Sequence, residues 1–364
     1  MKTIVAFGEI MGRISPPGFR RLTQAMPGTL DIEFAGAEAN VVSSIALLGG
    51  KASFITALPD HELGDACIAS LRGRGVGTEH IVRTPGGRLG LYFLEKGANQ
   101  RSGKVIYDRE GSSVSLTNGS AYDWDTLLRD AGWLHLTGIT SAISAIAAQA
   151  NLVAAKAARD RGIPVSCDLN YRSKLWRWKP SKTPNELAVE QMHELLPWVT
   201  HLMGGREDAA EMLGIRPRTP PRSDEAPDVD AFVDISRQLH ARFPQLQVVS
   251  MTQRQSLSAT NHFWGGFLYS PQSGQTWVSP KNGEGKYAPY AITHIVDRVG
   301  GGDAFSAGLI FAWNTPGLDA PQIALDFATA ASCLAHSVEG DTNWVTRTEV
   351  ESLMAGAVSG RVRR

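Results

Sequence analysis

An α/β fold with a mostly parallel central sheet, covered by helices on both faces, is the architecture this sequence predicts. Three observations carry it. Short apolar runs alternate with stretches of helical periodicity, several of these runs end in Gly or Asp, and a triple glycine, Gly300–Gly302, joins one run to a helical stretch. Strands alternating with helices build parallel sheets, because a parallel pair needs a crossover long enough to hold a helix.

Thr3–Phe7, Ala52–Ala57, Gly132–Leu136, Ile163–Asp168, Val199–Met203, Val248–Thr252 and Thr293–Val296 read as buried strands, being short and apolar. Ala37–Leu48, His61–Arg72, Ser144–Arg161, Asp230–Arg242, Gly302–Trp313 and Gln322–His336 read as helices. In such sheets the site lies beyond the C-terminal ends of the strands. Two segments break the rhythm. Gly28–Phe34 and Leu89–Tyr107 read as strands with no helix between their halves, the second turning at Gly97–Gly103. Such antiparallel ribbons are either a lid over the site or plain surface hairpins. The expected division is a core of residues 1–12, 36–87 and 112–364 and a β-strand lid of residues 13–35 and 88–111. Arg216–Asp228, rich in Pro, Arg and Asp, reads as a solvated loop.

Composition narrows the partners. Lys plus Arg and Asp plus Glu both total 36, so no global charge argues for nucleic acid or a membrane surface, and a small molecule is the expected partner. Cys67, Cys167 and Cys333 are odd in number and widely spaced, which reads as reduced core thiols. Met1–Glu9 enters an apolar strand without a signal-peptide profile, and no apolar run approaches the roughly 20 residues of a spanning helix. The expectation is a cytoplasmic soluble protein.

The chemistry concentrates in Asp297–Gly308, Asp-Arg-Val-Gly-Gly-Gly-Asp-Ala-Phe-Ser-Ala-Gly. Glycines can pack backbone N–H groups around an anion, and a helix beginning at Asp303 adds its positive dipole end. The carboxylate of Asp303 stands where it can take a proton from an attacking hydroxyl. Cradle plus base reads as phosphoryl transfer to an alcohol. The plainer alternative is a tight turn into a helix capped by Asp303. No Gly-Lys-Ser/Thr ending follows, so the grip differs from a P-loop.

These residues resemble the ribokinase-like, PfkB-type sugar kinases, and within them the bacterial 2-keto-3-deoxygluconate kinases. The C-terminal signature Asp-Thr-x-Gly-Ala-Gly-Asp has its counterpart in Asp297–Asp303, and the N-terminal Gly-Gly-x-x-x-Asn in Ala35, Gly36 and Asn40. Arg88–Glu95, Lys104–Ser113, Gly138–Ser144 and Cys167–Trp176 resemble the ketodeoxygluconate branch, and the likeness extends from Gly8 to the final Arg364.

The resemblance implies a ribokinase-like Rossmann-type sandwich with a small β lid. It implies Asp303 as base, the N–H groups of Gly300, Gly301, Gly302 and Asp303 as anion hole, and Gly36 and Asn40 at the sugar. Tyr92, Tyr107 and Asp341 would line the sugar pocket, although a lid tyrosine equally packs on a core and an Asp beside Gly is a common turn residue. Arg109 and Arg172 would hold a carboxylate in bidentate geometry, where two surface arginines in ordinary ion pairs are the other reading. Thr252, Arg254 and Ser256, in a branch-like Thr-x-Arg-x-x-x-Ser-Ala, would lie by the nucleotide. Two departures stand out. Ala35 replaces a glycine, adding a methyl near the sugar, and Gly205-Arg206-Glu207-Asp208 replaces an Asn-x-x-Glu stretch that organises magnesium, which leaves Glu207 and Asp208 as metal candidates.

The expected cofactors are ATP and Mg²⁺, with room for a monovalent cation. The expected reaction is phosphorylation of 2-keto-3-deoxygluconate to its 6-phospho form. The alternatives are a kinase for a neutral ketose such as fructose or tagatose, and a sugar- or nucleotide-binding protein without catalysis. A homo-oligomer, a dimer through the lid, completes the expectation.

Overall fold

A computed structural model describes residues 2–219 and 229–356. The main sheet runs, in spatial order, Gln275–Ser279, Asn261–Ser270, Val248–Ser258, His201–Gly204, Val165–Asp168, Ala131–Thr137, Thr3–Phe7 and Ala52–Ile55. From Val248–Ser258 to Ala52–Ile55 every neighbouring pair is parallel. Side-chain alternation explains why the strands are apolar throughout. Along Thr3–Phe7, Val5 and Phe7 enter one core while Ile4 and Ala6 enter the other. Ala145–Asp160, Pro184–Leu195 and Val229–Arg242 cover the first face, and Ala37–Leu47, Glu62–Gly73, Gly301–Trp313 and Pro321–Ala335 the second.

A second sheet has the order Asp31–Ala35, Met11–Ser15, Gly90–Glu95, Lys104–Asp108. Its register aligns Glu33, Arg13, Tyr92 and Tyr107 in one row across all four strands. The opposite face aligns Ile32, Ile14, Phe93 and Ile106 in the same way. A period of 2 thus gives this sheet one polar and aromatic face and one apolar, mostly aliphatic face.

The structure corrects several expectations. Thr293–Val296 is not a strand: the pairing segment is Tyr290–Ile292, antiparallel to Asn261–Ser270. The Ile295 and Val296 N–H groups donate to the carbonyls of Thr260 and His336, two different elements, so no ladder forms. Val248–Thr252 continues to Ser258 and is followed by antiparallel strands that its apolar half did not announce. The ribbons are not purely antiparallel either, since Met11–Ser15 pairs in parallel with Gly90–Glu95. The helix after the triple glycine starts at Gly301, not Asp303. Of Arg216–Asp228, the part from 220 on lies outside the described residues, as does the end of the chain beyond 356. Cys67 and Cys167 are buried, Cys333 is half-buried and all three are free thiols. No helix among the described residues is long and apolar enough to cross a membrane.

Candidate active site

A cavity of about 1350 Å³ opens beyond the C-terminal ends of the parallel strands and beneath the polar face of the second sheet. It brings together every residue singled out above: Gly36, Asn40, Tyr92, Tyr107, Arg109, Arg172, Glu207, Asp208, Thr252, Arg254, Ser256, Gly300–Gly302, Asp303 and Asp341 all line it.

The cradle is built by backbone. Gly300 caps the helix with φ 81, in the left-handed region, and a Cβ there would meet the Asp341 carbonyl oxygen at 2.1 Å. Gly301 and Gly302 follow as the first helical residues, so their N–H groups belong to the orphan donors of a helix start. Asp303 is therefore the third helical residue, 8 % exposed. Asn40 Nδ2 donates to Asp303 Oδ2 at 2.8 Å, while Asn40 Oδ1 accepts the Gly36 N–H at 3.2 Å. Gly36 itself admits no side chain: a Cβ would meet the Glu9 carbonyl oxygen at 2.0 Å. Burial pushes the Asp303 carboxyl up to about 8, against the Asn40 hydrogen bond and with the help of nearby Asp168 and Asp341. Asp168, at the end of its strand and in the same cavity, is pushed up to about 7, first by burial and then by Asp208.

The two arginines differ. Arg109 is 5 % exposed; its Nε donates to Glu9 Oε2 at 2.6 Å, its guanidinium lies 5.8 Å from the Tyr107 ring centre, and its buried Nη1 has no partner. Arg172 is exposed and donates from Nη1 to the Tyr171 carbonyl at 2.8 Å. Its charge reaches Asp168, Asp208 and Asp303 and lowers the pKa of each.

Three expected site residues have other partners. Tyr92 Oη donates to Asp341 Oδ2 at 2.6 Å, and Asp341 Oδ1 takes a short hydrogen bond from Arg13, so both side chains are committed to a network. Asp208 accepts the N–H groups of Tyr171 at 2.9 Å and Gly205 at 2.8 Å, closing the start of helix Arg206–Leu213. The Ala35 methyl packs with Met11, Tyr92 and Leu94 in the second sheet's own core and does not line the cavity. Thr252, Arg254 and Ser256 alternate along one strand and so share its cavity face.

Sequence reasoning passed over Arg13, Glu9, Asp168 and Asp297. A signal existed for Asp168, an acid closing an apolar strand whose C-terminal end faces the site. None existed for Arg13, a single charge between Gly12 and Ile14.

The pfkB family carbohydrate kinase profile matches residues 1–347. The chain belongs to that family. Over 359 residues it is 30 % identical to a 2-dehydro-3-deoxygalactonokinase of Haloferax volcanii, covering 98 % of each chain. Over 350 residues it is 29 % identical to a 2-dehydro-3-deoxygluconokinase of Thermoproteus tenax, covering 94 % of this chain and 90 % of that one. The solved structure of a Thermotoga maritima 2-dehydro-3-deoxygluconokinase superposes with a TM-score of 0.85 at 37 % identity, covering 98 % of this chain and 100 % of that one. The protein is an ATP-dependent carbohydrate kinase with the ribokinase-like fold.

The raised pKa of Asp303 has a consequence for stability. Unfolded, the carboxyl ionises near 3.8; folded, it holds its proton up to about 8, so between those values the native state binds the extra proton and loses stability as pH rises. Asp303→Asn removes that titration. Denaturant unfolding at pH 5 and pH 8 is expected to show the variant gaining on the wild type as pH rises; an equal difference at both pH values refutes the buried, proton-holding carboxyl.

Proposed function

We propose that this kinase phosphorylates a 2-keto-3-deoxy sugar acid, 2-keto-3-deoxygluconate foremost, to the 6-phospho form. One observation carries the reading: Arg109 keeps a buried guanidinium nitrogen without a partner in the cavity that also holds Asp303 and Arg172. A guanidinium nitrogen that still lacks a partner fits a carboxylate, and a neutral ketose would leave that nitrogen unsatisfied. The relatives' names point the same way, to gluconate in two and to its galacto epimer in the third.

In this mechanism Asp303 takes the proton of the attacking hydroxyl, and the N–H groups of Gly300–Asp303 offset the charge on the transferring group. Asn40 holds Asp303 in place, and Gly36, pressed against the Glu9 carbonyl, steadies Asn40 through its N–H. Tyr92, Tyr107 and Asp341 wall the sugar side, with Tyr92 Oη donating to the Asp341 carboxylate. Thr252, Arg254 and Ser256 face the nucleotide.

Mg²⁺ fits the carboxylates present. Glu207 is exposed at the cavity wall, Asp208 raises the affinity of Asp168 for protons after burial, Glu207 does the same to Asp208, and a divalent cation would relieve that repulsion. No group of three or more His, Cys, Asp or Glu among the described residues is arranged to hold a metal directly, as suits an ion kept by waters and phosphates. Bound there, Mg²⁺ would neutralise phosphate charge. The use of ATP supports a cytoplasmic location.

We assign residues 13–35 and 88–111 to a lid and its aliphatic face to a dimer. Ile32 and Ile106 are 64 % and 56 % exposed at the two ends of a continuous apolar row. A second copy of the same row covers it in an isologous pair.

Initial rates with 2-keto-3-deoxygluconate, 2-keto-3-deoxygalactonate, fructose and tagatose test the substrate class. The acids are expected to win strongly, and Arg109→Ala or Arg172→Ala to cost about 1.5 to 3 kcal/mol in kcat/KM for the acids. Equal or better efficiency with a neutral sugar sinks the carboxylate reading. Asp303→Asn is expected to lower kcat by roughly 10²- to 10⁴-fold with nucleotide binding near normal; full turnover removes Asp303 as base. Light scattering reads the oligomer: a dimer that Ile32→Glu with Ile106→Glu converts to monomer supports the lid interface, and an unchanged mass excludes it.

A further inference from the structure

Arg298 holds the second place of the cradle loop, where the family signature carries Thr. It lines the cavity with Gly300–Gly302, is half-buried, and makes no side-chain hydrogen bond or ion pair among the described residues. The acid that faces it is already saturated. Asp297 Oδ1 accepts the N–H groups of Arg298 and Val299 at 2.8 and 3.2 Å, and Oδ2 meets Arg13 and, at 3.4 Å, the Gly340 N–H.

A second unpaired guanidinium stands on the same wall. Arg254 is exposed on Val248–Ser258 and likewise makes no side-chain hydrogen bond or ion pair. Its cross-strand partner is Trp264, whose ring lies 4.9 Å from that of His336. His336 in turn reaches within 3.0 Å of where a Gly301 side chain would begin. Buried Trp264 and His336 therefore pack the strand against the helix start. Arg254 adds to burial in lowering the Arg298 pKa, and both arginines lower those of His262 and His336, so positive potential accumulates here.

Two guanidinium groups that repel each other, neither of them hydrogen-bonded to a carboxylate and with Asp297 acting on Arg298 only through its field, are stabilised by an anion between them. The anion must carry more than one charge and offer several oxygens to planar forks. The sugar acid has one carboxylate, and Arg109 and Arg172 on other elements suit it. Polyphosphate satisfies the requirement. We propose that Arg254 and Arg298 clamp the polyphosphate of the donor nucleotide beside the glycine cradle, Arg298 being a binding residue that the Thr of the family signature does not supply. The clamp rests on the kinase reading above.

Equilibrium binding of ATP, ADP and adenosine separates the two. Arg298→Ala, Arg298→Thr and Arg254→Ala are each expected to weaken ATP about 10- to 100-fold, to leave adenosine and the sugar-acid KM within about twofold, and to flatten the salt dependence of ATP affinity. Arg298→Lys is expected to recover part of the loss, since charge returns without the fork. Wild-type protein that binds ATP while every variant matches it overturns the clamp alone. An equal loss for adenosine and ATP also overturns it, because the damage is then to the pocket and not to a phosphate contact. Wild-type protein that binds no ATP overturns the kinase reading and the clamp together.

Discussion

The buried guanidinium of Arg13 is the constraint on which the rest of the site depends. Its side chain is fully buried and reaches Asp297, Asp341 and, at 3.1 Å, Glu33. Burial works against its charge; Asp341 and Asp297 outweigh that and hold the guanidinium ionised. Removing one partner of such a network leaves an uncompensated buried charge, about 3 to 5 kcal/mol, so its members cannot drift apart independently. Those members belong to three segments. Arg13 and Glu33 are on the second sheet, Asp297 opens the cradle loop, and Asp341 follows the helix Pro321–Ala335. Asp297 also fixes the loop by accepting the N–H groups of the next two residues. The position of the second sheet and the shape of the anion cradle are thereby one geometric variable.

That coupling explains why small residues crowd the junctions. Gly300 turns left-handed under the Asp341 carbonyl, and Gly36 passes the Glu9 carbonyl with no space for a Cβ. Glu9 also orients Arg109, so the segment that excludes a side chain at Gly36 sets the guanidinium proposed to meet the carboxylate. Sugar side and cradle side are positioned from the same few residues between Phe7 and Arg13.

Much of this is legible in sequence, unevenly. The parallel strands are apolar on both faces because each feeds two cores, and the uninterrupted run in Thr3–Phe7 is the direct imprint of that burial. The cradle is legible at Gly300, where only glycine tolerates the left-handed backbone and the Asp341 carbonyl. Thr293–Val296 misleads for a physical reason: Ile295 is buried for packing, while its backbone bonds go to single partners in different elements. The helix start was displaced because Asp is a good cap, whereas here Gly300 caps and Asp303 turns inward. Arg13 left no trace at all. A charge in an alternating strand normally faces solvent, and only the three-dimensional arrival of Asp297 and Asp341 makes this one internal.

The carboxyl of Asp303 carries the remaining tension. Held protonated up to about 8 in the free protein, the carboxyl proposed as the base has an ionised form that the fold disfavours. Its surroundings supply the correction from opposite sides. Asn40 donates to it, Arg172 lowers its pKa, and the helix start beneath it favours negative charge. A divalent cation near Asp168 and Asp208 would add to these, since Asp168 is one of the acids that keep Asp303 protonated. Ionisation of the base is thus tied to the arrival of positive charge in the cavity. In the proposed role, a carboxyl poised this way would be weakly ionised while the site is empty and would become a competent proton acceptor once Mg²⁺ and the substrate's own partners are in place.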